Sequence, residues 1–338
     1  MEQNEMQLQF FQHLKSNIPP HLSFVDEIAE LLEISNDSAY RRIRGEKMLS
    51  FEEIKKLCGK YRISVDQLLN LNTDTTIFAG KFGSSPQFTY EEHLKGFLSN
   101  VQFLHSFEKK ELFYFTKDLP GFIYFMFPGI SAFKNFAWMK TLLNLGTGVN
   151  AKFTQDNLSS EMVGIGLKIA ELYTEIPTTE IMNVENIMTT LRQLEYYKDS
   201  GLIANEEHLK ILYRQMHEMI DHMEAQAELG KKFLPGKKPT AKSAELKMFV
   251  NDFVVGDNSI LATLNDSKVC FINHNIVHFL MTNDKRFCEY SYGFIQNIIK
   301  KSMLISVVGE RERTRFFNLI RERIEAYRTN QYKTLSKI

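Results

Sequence analysis

Between Ile34 and Ser50 the chain reads ISNDSAYRRIRGEKMLS, with three arginines in four positions behind a Ser-Asn-Asp cluster and ahead of a glycine. Ser35 suits an N-cap and Gly45 a C-cap, so a short helix is predicted between them. At roughly 100° per residue, Ala39 and Ile43 form its apolar face, while Asp37, Ser38, Arg41 and Arg44 project away from it. Asn36 stands at the N-terminal end. Arginine and asparagine side chains fit guanine and adenine edges with paired hydrogen bonds, and the N-terminal residues of a groove-binding helix are the ones that reach those edges. From Arg41 to Arg62 the basic residues Arg41, Arg42, Arg44, Lys47, Lys55, Lys56, Lys60 and Arg62 outnumber Glu46, Glu52 and Glu53, a local excess suited to phosphate neutralisation. The preceding segment, with Asp26, Glu27, Glu30 and Glu33, is acidic and would repel phosphate if it faced one. The competing reading is a solvated arginine face on a helical domain that binds protein.

Other residue types with chemical potential are scattered. Cys270, His274 and His278 are spaced by fours and are ligand types for zinc or iron. The β-rich surroundings make packed core residues the expectation there, with no metal bound; a metal-sensing regulator using these three residues is the alternative. His217 and His222, five apart, fall on different sides of a helix. Gly164-x-Gly166 has neither a preceding strand nor a third glycine, so close helix packing is expected rather than a nucleotide fingerprint. No phosphate loop or nucleophile elbow is present, no acid–base pair stands out, and neither catalysis nor a cofactor is expected.

The elements that must position these residues belong to a chain of 338 residues with 41 basic and 41 acidic side chains, 43% hydrophobic content, 27 Phe and one Trp. Zero net charge gives no support for indiscriminate coating of nucleic acid, but leaves room for a local patch. Three scattered cysteines, Cys58, Cys270 and Cys288, do not make a disulfide framework, and a reducing cytoplasm is expected. The N-terminus MEQNEMQLQF lacks the pattern of a signal peptide. The most apolar run, Gly121–Ile130, is too short to span a bilayer.

Composition divides the chain into 1–71, a Thr/Gly/Ser/Pro-rich linker at 72–87, a helical region at 88–229, a basic loop at 230–243 and an α+β region at 244–338. The first part reads as five short helices. Leu8, Phe11 and Leu14 mark the first; Ser23 begins the second, with Val25, Ile28, Ala29 and Leu32 on one stripe; Ser50 and Glu53 form a capping box; Ser64 begins the fifth. Helical spacing continues through TYEEHLKGFLSNVQFLHSFEKKELFYF and recurs at Met162–Ile176, Val184–Lys198 and Glu206–Leu229. The aromatic stretch Phe113–Trp138 reads as core, with an effector pocket or dimer face as the alternatives. The lysines of Lys231–Lys242 read as a solvated loop. From Leu246, β-branched runs broken by Gly-Asp-Asn and Asn-Asp-Ser predict two or three antiparallel strands, followed by helices. In the last, GERERTRFFNLIRERIEAYR, the arginines are expected to meet Glu310, Glu312, Glu322 and Glu325 on neighbouring turns, with Phe316, Phe317, Leu319, Ile320 and Ile324 buried. The fold class expected is mainly α.

Ile28-Ala29, Leu32, Ile34-Ser35, Gly45 and the closing YRISVDQLL occur in an order that resembles the Cro/lambda-repressor-like (XRE-type) helix-turn-helix of bacterial transcription regulators, over about Leu22–Leu71. The resemblance implies a DNA-binding domain in 1–71. Its base-reading positions fall on Asn36, Asp37 and Arg41; its backbone contacts fall on Ser35, Tyr40 and Arg44, with Lys47 beside them. Val25 stands where the family commonly has Gln, and Ile43 where it commonly has Glu. A regulator of this kind would bind double-stranded DNA as a homodimer, since one short helix reads few base pairs, and the rest of the chain would oligomerise or sense an effector.

Overall fold

A computed structural model describes residues 5–16, 23–61, 75–80, 89–142, 151–252, 259–274 and 279–331. The chain forms two compact units, Met1–Ala79 and Gly80–Ile338, and their boundary falls inside the linker read from composition. No helix among the described residues is long and apolar enough to cross a membrane.

The first unit contains α1 (Glu5–Ser16), α2 (Phe24–Leu32), α3 (Asn36–Ile43) and α4 (Phe51–Tyr61). The fifth helix expected from Ser64 lies outside the described residues, as does Arg62. Phe10, Phe11, Leu14, Ile28, Ala29, Leu32, Ala39 and Leu57 form the core. Leu8, expected on the buried stripe of α1, is exposed instead, and Phe10 takes its place, edge-on to Phe11 at 5.7 Å between ring centres.

The second unit is built on a seven-stranded mixed sheet, where two or three antiparallel strands were expected. It holds α5 (Tyr90–His105), β1 (Lys110–Phe115), α6 (Gly121–Tyr124), α7 (Pro128–Ala137), α8 (Ser160–Thr174), β2 (Thr178–Met182), α9 (Met188–Asp199), α10 (Glu206–Leu229), β3 (Leu246–Val250), β4 (Ser259–Leu264), β5 (Ser267–Asn273), β6 (Phe279–Thr282), α11 (Lys285–Lys300), β7 (Met303–Leu304) and α12 (Glu310–Arg328). The strand order is β6-β5-β4-β1-β2-β3-β7. β1, β2 and β3 run parallel, with helical connections between them, while β4, β5 and β6 form an antiparallel meander beside β1. Because β1 and β2 come from 88–229 and the other strands from 244–338, these two stretches share one sheet. The helical middle region is therefore corrected to half of an α+β unit.

The run KELFYF, read as a continuing helix, is β1. Its last four residues are all buried: Leu112 and Tyr114 join the large cluster under α5, α8, α10 and α12, and Phe113 and Phe115 join a smaller one under α11. A strand covered on both faces needs no polar alternation, which is why its periodicity misleads. Gly166 does serve helix packing: a Cβ there would lie 2.9 Å from the Phe125 ring, whereas one at Gly164 would meet open space.

Charge pairing in this unit departs from local expectation. In α12 only Arg328–Glu325, 2.6 Å, is a within-helix pair of the kind expected among the described residues. Arg321 reaches Asp221 and Glu224 on α10, Arg323 reaches Glu185, and Arg313 is buried with its guanidinium donating to the Ile305 and Val308 carbonyls. Leu319 is exposed rather than buried. These arginines meet partners on neighbouring elements because α12 packs lengthwise on α10 and beside the turn at 184–187, whose acids face it.

Lys232 is the largest correction in the basic loop. Its side chain is fully buried. Nζ lies 2.5 Å from the Thr178 hydroxyl, to which it donates, and 3.5 Å from the centre of the Tyr173 ring. Tyr173 donates to the buried Glu180 carboxylate. Burial pushes the Lys232 ammonium well down, against the pull of Glu180, and pushes the Glu180 carboxyl up against its Tyr173 hydrogen bond and the Lys232 charge. Lys232→Met takes the Nζ donor from the Thr178 hydroxyl and the charge that draws on the buried Glu180 carboxyl, and is expected to cost about 1–3 kcal/mol of unfolding free energy. Adding Glu180→Gln should recover most of it. Urea titrations of the two variants check this; a single variant as stable as the double would refute the pairing.

Candidate nucleic-acid interface

α2 ends at Glu33, which takes a left-handed φ of 59°, and the Ile34 amide closes the turn on the Ala29 carbonyl at 3.0 Å. Two residues later Ser35 caps α3, its hydroxyl accepting from the Ser38 amide at 3.3 Å. At the other end Gly45 adopts φ 72°, a conformation costly for any side chain, and its amide returns to the Arg42 carbonyl. The helix is thus fixed at both ends by residues adjacent in sequence, as expected. Ser23 occupies the N-cap position of α2 without a side-chain hydrogen bond, and Ser50 and Glu53 form their capping box on α4.

The orientation of α3 is set by two side chains the sequence does not advertise. Arg42 is buried, its guanidinium donating to Glu53 Oε1 at 2.6 and 3.0 Å and to the Ser38 carbonyl at 3.1 Å. Gln7 on α1 is also buried; its amide donates to the Arg42 and Lys47 carbonyls and accepts from the Leu49 amide. Together they tie α1, α3, the following loop and α4. Within Arg41-Arg42-Arg44, one arginine is therefore a brace and leaves the local positive excess, along with its partner Glu53.

Ser35, Asn36, Asp37, Tyr40, Arg41, Arg44 and Lys47 are exposed, and Ser38 is half-buried. Ala39 is buried and Ile43 half-buried on the opposite side. Asn36 donates to Asp26 Oδ1 at 2.8 Å, which fixes the amide at the start of the helix and occupies one of the α2 acids. Arg44 Nε lies 3.2 Å from Glu46 and Arg41 Nε 3.9 Å from the same carboxylate, with more than half of each arginine side chain exposed. Lys56 pairs with Glu33 at 3.3 Å. Such exposed pairs are weak and exchange readily for a phosphate. The exposed apolar side chains Tyr40, Met48 and Phe51 belong to the same unit. Gln7 and Arg42 were missed because nothing in their local spacing distinguishes them; the one hint was a polar residue on an otherwise apolar face of α1.

No family model, curated protein or solved structure matches this chain.

Among the described residues the other candidate clusters are not brought together. Cys270 is buried in β5, and His274 is exposed just past the end of that strand, while His278 lies outside the described residues. His217 meets Glu325 at 2.7 Å and the buried His222 meets the Phe233 carbonyl at 2.8 Å, so the two do not converge. No group of three potential metal ligands occurs among the described residues. The aromatic stretch Phe113–Trp138 is mostly core, and several of its rings line a cavity in the second unit.

Burial alone would raise the Glu53 carboxyl, but the Arg42 guanidinium and the Ser50 amide hold it below the usual glutamate range. A depressed carboxyl contributes stability above its unfolded value and loses it as pH falls through the folded one. Protection of α3 amides in hydrogen–deuterium exchange should therefore drop as pH is lowered past the ordinary glutamate range. Arg42→Met should lower it at neutral pH by the equivalent of about 3 kcal/mol and flatten the acid dependence. Unchanged protection in that variant would remove the brace.

Proposed function

We propose that the first unit binds double-stranded DNA with sequence preference and that the chain acts as a cytoplasmic transcription regulator, working as a homodimer. The observation that carries this reading is the exposure, on one capped and rigidly braced helix, of Asn36, Asp37 and Arg41 together with Ser35, Tyr40, Arg44 and Lys47. In this reading α3 enters the major groove and α2 lies across the backbone. Asn36 and Arg41 offer base-edge hydrogen bonds, while Arg44 and Lys47 exchange Glu46 and solvent for phosphates. The bond from Asn36 to Asp26 holds the Asn36 amide at the exposed start of α3, where a base-reading side chain would be needed.

A second reading, a helical adaptor that binds protein, draws on Tyr40, Met48 and Phe51, of which Phe51 is 87% exposed. The two readings differ in salt dependence: DNA retention falls steeply with salt through counterion release.

Selection of bound sequences from a random duplex library should return a two-fold symmetric consensus. On it, Arg41→Ala is expected to cost about 1–3 kcal/mol and relax preference at one position, while Lys47→Ala weakens all sequences alike and lowers the salt slope by about one. Gel-shift titrations check both. A library that returns no enriched sequence, with no salt-dependent retention, would favour the adaptor.

A further inference from the structure

The second unit holds a partly open cavity of about 200 Å³ between α5 and the sheet. Its floor comes from β1, β4 and β5, its wall from α5, and its end from the turn 116–119 and α6 that follow β1. β1 is the strand at which the sheet changes from parallel to antiparallel pairing. Phe115 pairs with Ser259, and Ser259 with Ile272, so the carboxyl ends of β1 and β5 lie along one edge. The turn 116–119 and Asn273, at that edge, both line the cavity. Open α/β sheets bind their ligands at this kind of position, outside the carboxyl ends of strands where the strand order or direction switches.

The lining fixes the chemistry. Phe97, Phe122, Phe125 and Trp138 present rings, held by contacts of their own: Phe122 stacks flat on Tyr173 at 4.2 Å and Phe97 tilts against Phe122 at 5.3 Å. The charged groups in the wall are already used. Asp118 accepts from Tyr124 Oη at 2.6 Å and from the Leu119 amide at 2.9 Å, and its other oxygen lies 3.2 Å from the buried Lys134 ammonium. Lys117 and His93 also have protein partners. Asp118 and the buried Lys134 neutralise one another, so the buried part of the wall offers an ionic ligand no spare counter-charge and leaves it in apolar surroundings. Polar capacity remains at the Asn273 and Asn100 amides and the Thr189 hydroxyl, for which no hydrogen-bond partner occurs among the described residues, and at the buried Trp138 Nε1, which likewise has none. A cavity of roughly 150 Å³ admits benzene, so this one has room for a single ring with a short substituent.

We propose that this cavity binds a small, uncharged aromatic molecule carrying one hydrogen-bonding substituent, with the ring between α5 and the sheet and the substituent toward Asn273 and Thr189. Residence of the ring against Trp138, the one tryptophan of the chain, gives the site its own optical reporter.

The full chain is titrated with 4′-fluoroacetophenone, followed by fluorine NMR line width and by Trp138 emission, with 4-fluorobenzoate as the anionic counterpart. Saturable broadening of the ketone signal, reversal by unlabelled acetophenone, and Trp138 quenching with the same midpoint are expected. The benzoate should bind at least about tenfold more weakly. Val101→Phe, which fills the cavity from α5, should abolish the broadening, and Thr189→Val should weaken binding severalfold. Absence of saturable ketone binding to the wild-type chain overturns the proposal. So does benzoate binding of equal strength, or ketone binding without a change in Trp138 emission. If Val101→Phe does not fold, the Trp138 readout and Thr189→Val decide. DNA retention is measured separately, so failure of the ligand site and failure of the DNA reading remain distinct.

Discussion

The architecture of the larger unit depends on the burial of β1 from both sides. Leu112 and Tyr114 need cover on one face and Phe113 and Phe115 on the other, so helices must lie on both faces of the sheet. A strand so placed is central, and central strands need neighbours on both edges. β2 supplies one in parallel and β4 the other in antiparallel. The crossover to β2 carries the aromatic helices α6 and α7: Phe122 of α6 meets Tyr114 edge-on and stacks on Tyr173, while Phe133 and Phe136 of α7 pack on Phe153 and Tyr197. The polar turn at 116–119 then leaves the sheet between two kinds of pairing, and that is where the layers separate enough to leave a cavity.

Buried cations recur through both units. Arg42, Lys134, Lys232 and Arg313 are each nine-tenths or more buried, and each is matched to an acid, a hydroxyl or a set of carbonyls. Their contribution is better understood as selection than as net stability, because an ion pair moved out of water gains little over an apolar pair of the same shape. What it excludes is any packing that leaves the charge without its partner. Lys134 reaches Asp118 from α7 and Gln193 on α9, which admits one relative placement of those elements. Arg42 does the same for α3 and α4.

Features fixed by residues close in sequence were legible: Ser35 and Gly45 at the ends of α3, the Ser50–Glu53 box, and the helices near Met162–Ile176, Val184–Lys198 and Glu206–Leu229, all of which follow from caps and periodicity. Features fixed by distant contacts were not. Arg41, Arg42 and Arg44 are one residue type, and only the position of Glu53 after folding separates the brace from its exposed neighbours. Lys232 looks like the other loop lysines until Thr178, Tyr173 and Glu180 close around it. β1 was hidden because burial on both faces removes the alternation by which strands are recognised. Of the candidate interface, the exposed residues could be named in advance, but the groups holding them in place could not.

The register of the sheet bears on how the chain comes off the ribosome. Leu112 pairs with Thr178, and Thr178 with Leu246, so each parallel contact closes a loop of about 66 to 68 residues, a long closure of the kind that slows folding. The core of the first unit and the Gln7–Leu49 tie close within residues 5–61. During synthesis the braced helices can be complete while β1 still waits for both of its parallel companions. In that interval KELFYF is an aromatic segment with two uncovered faces, the stretch most in need of a chaperone's protection.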